Sequence, residues 1–187
     1  MAKEHDIAAM FEAADELGTV TAFVANAGVA ASQARVDELT ASRIAEILAV
    51  NVVGPFLACG HTVWRMSALH GGVGGGIVLV SSAASRLGAP GEYVDYAASK
   101  GAIDTLGIGL AREVANEDIR VNVVRPGIID TEMHARNGRP DRVKNMTHTI
   151  PMQRAGHPKE VSAAIIWLLS NEASYCTGSI LDMAGGR

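Results

Sequence analysis

Four short apolar runs alternate with longer amphipathic stretches along these 187 residues, and this alternation constrains the fold most strongly. These runs predict strands at 20–25, 77–80, 119–124 and 179–182. Helical spacing predicts helices over 4–17, 40–66, 93–115 and 158–170. Apolar strands that alternate with helices are typical of a parallel sheet covered on both faces. Because the crossovers are right-handed, we expect the four strands to lie side by side in sequence order.

The length and composition fit one α/β domain over residues 1–187. Hydrophobic residues make up 48% of the chain and aromatic residues only 4%, while glycine occurs 20 times. A core of small aliphatic side chains favours an α/β protein over a β-sandwich held by large rings. The net charge is −4 and no basic stripe is present, so nucleic acid is not an expected partner.

Signals for export, membrane insertion and metal binding are missing from the sequence. The N-terminus has no basic start followed by an apolar run, and no unbroken run of 18 apolar residues occurs. The cysteines, Cys59 and Cys176, are far apart and outside any CxxC pattern, which indicates reduced thiols. Neither an HExxH motif nor a Cys/His cluster occurs. We therefore expect a cytoplasmic protein with no membrane span and no metal.

Small and polar residues follow three of the predicted strands. These strand ends are Asn26-Ala27-Gly28, Ser81-Ser82 and Pro126-Gly127. Ligands of open α/β sheets bind beyond the carboxyl ends of the strands. Glycine and serine also simply terminate strands, and each strand end taken alone leaves that alternative open. Three such ends in succession favour a ligand crevice at this edge of the sheet.

Tyr96 and Lys100 are four residues apart in the helix predicted at 93–115, so they share one helical face. An ammonium beside a phenol favours the phenolate, which predicts a lowered pKa for Tyr96 and a role in proton transfer. Ser82 ends the preceding strand and can reach the same crevice. The alternative is an exposed tyrosine beside a solvated lysine, and the spacing alone does not exclude it.

Asn51 is polar within the apolar run 47–53 of the predicted helix 40–66. Pro55 has no N–H, so the helical bond from residue 55 to the carbonyl of Asn51 cannot form, and Gly54 eases a kink. The free carbonyl could hold a water molecule. The alternative is a core asparagine at a helix irregularity with no part in catalysis.

These motifs share one order and spacing along the chain. They are Ala25-Asn26-Ala27-Gly28, Asn51, Ser82, Tyr96 with Lys100, and Arg125-Pro126-Gly127-Ile128-Ile129-Asp130-Thr131. Together they resemble the short-chain dehydrogenase/reductase family over essentially the whole chain, close to a subgroup with sugar-dehydrogenase-like or unassigned substrates. The resemblance implies a Rossmann-like doubly wound parallel sheet and an oxidoreductase that uses NAD or NADP on an alcohol or carbonyl compound.

The resemblance also implies a role for each matching residue. Tyr96 would exchange a proton with the substrate oxygen, Ser82 would polarise it, and Asn51 would hold a relay water. Lys100 would lower the pKa of Tyr96 and, with Tyr96, bind the nicotinamide ribose. The remaining expected cofactor contacts are Asn26, Ala27 and Gly28 on the adenosine side, and Pro126, Gly127, Ile129 and Thr131 under the nicotinamide.

One family element has no counterpart in this sequence. The family opens with a strand, a glycine-rich turn and a helix whose N-terminus binds pyrophosphate, so roughly 50 to 60 residues are expected before position 1. The glycine run at 71–76 precedes a strand, and we interpret it as a flexible surface loop. We expect a sheet lacking the first βαβαβ portion, with the strand at 20–25 at its edge. The chain would then be a fragment, a misread start or a shortened product, without the segment that selects NAD or NADP.

The resemblance implies a homo-oligomer, a tetramer or a dimer, formed through the helices at 40–66 and 93–115 and the C-terminal segment. A catalytically silent chain that only assembles with longer subunits is the alternative function. The segment 130–157 is expected to cover the substrate, and it carries Met133, His134, Met146, His148 and Met152 with Arg136, Arg139 and Arg142. A loop packed for structure or oligomer contact is the alternative there, and no residue identifies the substrate.

Overall fold

The computed structural model describes residues 3–132 and 141–187, which form four strands and seven α-helices. The strands are β1 Ala22–Ala25, β2 Gly75–Val80, β3 Ile119–Pro126 and β4 Ile180–Met183. The helices are α1 Glu4–Leu17, α2 Ala41–Leu48, α3 Gly54–Met66, α4 Ala84–Leu87, α5 Val94–Val114, α6 Arg142–Met146 and α7 Pro158–Leu169. The predicted elements are all present, whereas the short helices α4 and α6 were not predicted.

The four strands form one parallel sheet in the order β1-β2-β3-β4, as the alternation of strands and helices predicted. β1 lies at one edge and pairs with β2, where Phe23 faces Ile77 in the register. β3 is the longest strand and pairs with both β2 and β4. All carboxyl ends therefore point to the same edge of the sheet.

Alternate residues of the two central strands pack on opposite faces, which confirms a sheet with helices on both sides. Ile77 and Leu79 of β2 lie in a cluster with side chains of α3 and α5, such as Cys59 and Ile103. Val78 lies in a second cluster, beneath Leu168 of α7. Because successive side chains of a strand point to opposite faces, each continuous apolar run supplies both layers of the core.

The helix predicted over 40–66 is interrupted, and the interruption lies where the sequence placed it. Thr40 caps α2 by accepting a hydrogen bond from the backbone N–H of Arg43 at 3.3 Å. A π-helical segment, Ala49–Val53, separates α2 from α3, and the N–H of Gly54 donates to the carbonyl of Ala49. Proline at the start of α3 removes one donor, and the widened π turn accommodates that loss.

The continuous stretch Ala41–Met66 also bears on the question of membrane segments. Its 26 residues contain an 18-residue window with a mean hydropathy of 1.5, so by length and composition it could cross a membrane. The segment meets this criterion although it contains no unbroken run of 18 apolar residues. Core helices of globular proteins meet the same criterion, and here α3 packs on α1 and on the sheet.

The glycine run at 71–76 is not the flexible surface loop that the sequence suggested. Its second half is packed, and Gly75 already belongs to β2. The N–H of Gly74 donates to the carbonyl of Met66 at 2.8 Å, and that of Gly75 donates to the carbonyl of Asp118 at 2.9 Å. A Cβ on Gly74 would collide with the backbone of Asp118, and its φ of +75° also favours glycine. Close backbone packing explains these glycines.

Arg120 of β3 ties the carboxyl end of α7 to the sheet. Its guanidinium donates hydrogen bonds of 2.6 to 3.2 Å to four carbonyl oxygens at and just beyond the end of the helix. The acceptors belong to Leu168, Leu169, Ser170 and Ala173. A cation at this position satisfies carbonyls that have no helical partner and complements the helix dipole.

Replacing Arg120 with methionine is expected to lower the free energy of unfolding by about 2 to 3 kcal/mol, because the buried carbonyls lose a charged donor. Urea denaturation followed by circular dichroism measures the change. Arg112→Met, on the exposed face of α5, is the matched control and is expected to stay within about 0.5 kcal/mol of the wild type. Equal effects of the two substitutions would contradict the capping role.

Candidate active site

A cleft of about 750 Å³ lies beyond the carboxyl ends of β1, β2 and β3, where the sequence predicted a ligand crevice. One wall is formed by Asn26 and Gly28 after β1, and the floor by Val80 and Ser82 at the end of β2. The residues that follow β3 close the opposite wall. The cleft is open to solvent and large enough for an extended ligand.

Two hydrogen bonds join the end of β2 to α5, and a third lies within the first turns of α5. The ammonium of Lys100 donates to the carbonyl of Val80 at 2.8 Å. The hydroxyl of Ser81 donates to the backbone carbonyl of Lys100 at 3.0 Å. Ser99 turns its hydroxyl onto the carbonyl of Tyr96 at 2.7 Å. The first turns of α5 are therefore fixed against the strand whose end lines the cleft.

Tyr96 and Ser82 meet inside the cleft, as their positions in the sequence predicted. Burial raises the pKa of Tyr96 above its usual value, although a hydrogen bond with Ser82 and the positive charge of Arg142 both act to lower it. Lys100 lies 5.8 Å from the centre of the Tyr96 ring, and its lowering of this pKa stays a prediction. Desolvation of the phenolate outweighs the nearby charges.

Burial also acts on Lys100, of which only 4% is exposed. Desolvation of the ammonium lowers its pKa to about 8, while the carboxylate of Asp104, one helical turn further on, raises it. Asp104 itself pairs with Arg125 at 2.9 Å, and Arg125 also approaches Asp182 at 3.7 Å. The ammonium at the cleft thus lies near a row of alternating charges, in which Asp104 is buried and Asp182 is exposed.

Asn51 lies behind the cleft wall and is only 1% exposed. Its side-chain oxygen accepts a hydrogen bond from the N–H of Val29 at 2.8 Å, and its amide donates to the carbonyl of Val29 at 2.8 Å. The amide also donates to the hydroxyl of Ser99 at 3.0 Å. The side chain therefore joins the loop after β1 to α5, and the wider turn of the π-helical segment accompanies this arrangement.

Comparison with known proteins agrees with this geometry. A family model described as enoyl-(acyl carrier protein) reductase matches residues 1–187. The oxidoreductase YgfF of Escherichia coli is 57% identical over 185 residues, which are 98% of this chain and 75% of that protein. The chain belongs to the short-chain dehydrogenase/reductase family. Its members are NAD(P)-dependent oxidoreductases, and this chain is one of them.

Two further members of the short-chain dehydrogenase/reductase family match nearly as completely at lower identity. Glucose 1-dehydrogenase 2 of Bacillus subtilis is 33% identical over 187 residues, the whole of this chain and 71% of that protein. The 3-oxoacyl-[acyl-carrier-protein] reductase FabG of Chlamydia muridarum is 33% identical over 172 residues, 91% of this chain and 66% of that protein. The four-stranded parallel sheet is consistent with the Rossmann-like fold of the family.

Most residues that the family resemblance assigned to the site line this one cleft. They are Asn26, Gly28, Ser82, Tyr96, Lys100, Pro126, Gly127, Ile129 and Thr131. Ala27 and Asn51 are the two exceptions among the assigned residues. In the segment predicted to cover the substrate, Arg142 also lines the cleft, whereas Met133, His134, Arg136 and Arg139 lie outside the described residues.

Sequence reasoning missed two cleft residues of this short-chain dehydrogenase/reductase, Glu92 and Tyr93, and left Arg142 without a role. Arg142 pairs with Glu92 at 2.8 and 3.1 Å and lies over the ring of Tyr93, with its guanidinium carbon 5.1 Å from the ring centre. Tyr93 precedes Tyr96 by three residues, a spacing that could have placed both rings on one face. Within residues 3–132 and 141–187, no cluster of three His, Cys, Asp or Glu side chains suits a metal ion.

The lowered pKa of Lys100 predicts a specific dependence of stability on pH. In the unfolded chain the ammonium keeps its usual pKa near 10.5, so between pH 8 and 10.5 only the unfolded state holds this proton. Stability contributed by this group therefore rises with pH through that window. Relative to Lys100→Met, the free energy of unfolding of the wild type is expected to rise by about 3 kcal/mol from pH 8 to pH 10.5. Urea denaturation across this range measures the difference, and parallel curves for the two proteins would contradict the assignment.

Proposed function

We propose that this protein transfers a hydride between NAD or NADP and a small alcohol or carbonyl substrate, with Asn51, Ser82, Tyr96 and Lys100 as its catalytic residues. The observation that carries the proposal is the meeting of Ser82 with Tyr96 in a cleft that Lys100 also lines. A hydroxyl donor, a second hydroxyl beside it and a buried ammonium are the groups needed to move one proton at a carbonyl oxygen.

The cleft suits a nicotinamide nucleotide on three grounds. It runs along the carboxyl ends of three neighbouring strands, where such nucleotides bind in open α/β sheets. Gly28 leaves room beside the ammonium of Lys100, since a Cβ there would lie 3.3 Å from Nζ. The ammonium of Lys100 has three N–H donors, and the carbonyl of Val80 accepts a hydrogen bond from one of them. When bound, the nucleotide supplies or accepts the hydride.

The chain's own residues have distinct tasks in this proposal. Tyr96 gives its proton to the substrate oxygen during reduction and takes it back during oxidation. Ser82 holds that oxygen, and Lys100 binds ribose hydroxyls together with Tyr96. Asn51 acts through its backbone carbonyl, which retains a water molecule on the proton path, while its side chain keeps α5 in place. Asn26, Ala27 and Gly28 support the adenosine side, and the residues after β3 support the nicotinamide.

The substrate class follows from chemistry shared by named relatives. A glucose 1-dehydrogenase and a 3-oxoacyl-[acyl-carrier-protein] reductase both interconvert a hydroxyl and a carbonyl group. The cleft lining combines the apolar residues Ala84 and Leu87 with the charged pair Glu92 and Arg142. That mixture supports a small substrate with both an apolar part and a polar part.

We also propose a homo-oligomer in the cytoplasm. Helix α3 and the π-helical segment expose large apolar side chains, with Val53 47% exposed, Phe56 50% and Trp64 65%. Apolar side chains at such exposure favour association between subunits. Both cysteines are free, Cys59 buried and Cys176 partly exposed, which suits a reducing compartment.

The protein is expected to bind NADH or NADPH saturably and to reduce members of a panel of small ketones and aldehydes. Tyr96→Phe is expected to lower kcat by at least about 1000-fold, because the proton donor is lost, and to change the nucleotide Kd by less than about threefold. Quenching or enhancement of nucleotide fluorescence gives Kd, and nucleotide absorbance gives the rate. Tyr175→Phe, at a fully exposed position, is the matched control and is expected to keep full activity.

Two results would separate this proposal from its alternative. Retained turnover in Tyr96→Phe would remove Tyr96 from the proton-transfer role. A folded protein without saturable nucleotide binding would instead favour a catalytically silent chain that assembles with longer subunits. Mixing it with such subunits, followed by size-exclusion chromatography, would then test that function directly.

A further inference from the structure

A chain of contacts crosses the cleft from one wall to the other, and Glu92 lies at its centre. The backbone N–H of Ala34, in the loop after β1, donates to the carbonyl of Glu92 at 2.9 Å. The side-chain amide of Gln33 approaches one carboxylate oxygen of Glu92 at 3.4 Å. On the opposite side, the guanidinium of Arg142 in α6 donates to both carboxylate oxygens, at 2.8 and 3.1 Å. We call Gln33, Glu92 and Arg142 the polar bridge.

All three residues of the polar bridge line the cleft, and the bridge lies close to Tyr96. The guanidinium carbon of Arg142 lies 5.1 Å from the centre of the Tyr93 ring. The rings of Tyr93 and Tyr96 meet edge to face, with their centres 5.7 Å apart. A single aromatic ring therefore stands between the bridge and Tyr96. A substrate that extends from Tyr96 toward α6 meets the bridge after a short distance.

The contacts around Glu92 hold the polar bridge in one arrangement. Only 7% of Arg142 is exposed, and its bidentate pairing with Glu92 fixes the plane of the guanidinium. Glu92 also lies in a tight turn, where its N–H and that of Tyr93 both donate to the carbonyl of Ala89, at 3.1 and 3.2 Å. Ala89 has a φ of +46°, which residues other than glycine rarely adopt. Opening the bridge therefore requires a buried ion pair to separate.

An apolar chain cannot take the place of these contacts. The side chains of Arg142 and Glu92 are only 7% and 24% exposed, so an alkyl group inserted between them would leave two charged groups poorly solvated. A short chain ends before the bridge and avoids that cost. A hydroxyl group at its far end can instead hydrogen-bond to the charged side chains. The polar bridge therefore favours short substrates over those with a long hydrocarbon chain.

We propose that the polar bridge limits the length of the substrate, with Glu92 as the residue that determines this specificity. The protein then acts on short carbonyl compounds or alcohols and not on long acyl chains. The bridge sets the limit, because a cleft of about 750 Å³ could otherwise hold a long chain. The inference rests on the proposed function, since it places the reacting carbonyl at Tyr96.

The test is the dependence of kcat/KM on chain length for the straight-chain aldehydes propanal, pentanal and octanal, with saturating NADH or NADPH. In an open apolar cleft every added methylene strengthens binding. We expect the wild type instead to be less efficient with octanal than with propanal. Glu92→Ala is expected to raise the ratio of kcat/KM for octanal to that for propanal by about tenfold. Arg142→Ala removes the other partner of the ion pair and is expected to shift the ratio in the same direction.

Two control variants separate a length limit from a general loosening of the fold. Glu92→Gln keeps the size of the side chain and one acceptor oxygen, so it is expected to retain most of the limit. Asp15→Ala removes an arginine–carboxylate pair with Arg65, at 2.6 Å, that links α1 to α3 outside the cleft, and it is expected to leave the ratio unchanged. A wild type whose efficiency rises steadily from propanal to octanal would overturn the proposal. So would an unchanged ratio in both Glu92→Ala and Arg142→Ala.

A binding measurement keeps this result separate from a failure of the proposed function. Should the wild type turn over no aldehyde, the proposed function fails, and saturation-transfer difference NMR with 1-propanol and 1-octanol still measures the length limit. Saturable binding of 1-octanol to Glu92→Ala but not to the wild type supports the limit, and equal binding to both overturns it. Should Glu92→Ala lose its circular dichroism spectrum, Arg142→Ala and the wild-type profile decide.

Discussion

The burial of a lysine ammonium is the constraint on which the cleft depends. An unpaired ammonium in the protein interior is costly, so Lys100 is retained only with a fixed acceptor, the carbonyl of Val80, and with Asp104 nearby. The bond to Val80 fixes the end of β2 against α5, and Ser81 repeats that link from the opposite direction. The same contacts that satisfy Lys100 therefore bring Ser82 and Tyr96 together.

Asn51 extends this frame to the first strand. Its side chain makes three hydrogen bonds, two with the backbone of Val29 and one with the hydroxyl of Ser99. Because Ser99 is in turn bonded to the carbonyl of Tyr96, the loop after β1 and the first turns of α5 form one connected unit. A π-helical segment in the middle of a long helix is uncommon. Here it contains Asn51, whose hydrogen bonds reach both the loop after β1 and α5.

The regular parts of the fold were predictable because their causes are local. Apolar runs, the Thr40 cap and Pro158 at the start of α7 mark elements in the residues themselves, and right-handed crossovers then order the strands. The glycine run at 71–76 was misjudged because the reason for its glycines lies elsewhere in the chain, in the backbone of Asp118 and Thr21. Local spacing could not reveal that contact.

The features of the site also divide into those that local spacing predicts and those that depend on tertiary contacts. Tyr96 and Lys100 could be paired from their spacing, whereas the direction of the Tyr96 pKa depends on how much water the folded cleft excludes. The sequence indicated Arg142 only as one of several basic residues in an irregular segment. Its importance comes from the tertiary contact with Glu92, 50 residues away, which no pattern of neighbouring residues encodes.

The most direct test of the central claim follows the hydride itself. Incubation with a reduced nicotinamide nucleotide deuterated at the transferable position, together with a carbonyl panel, is followed by mass spectrometry of the alcohol products. The arrangement of Ser82, Tyr96 and Lys100 predicts one deuterium on the former carbonyl carbon, and loss of that product in Tyr96→Phe. Nucleotide binding without deuterium in any product, or equal labelling by Tyr96→Phe, would contradict it.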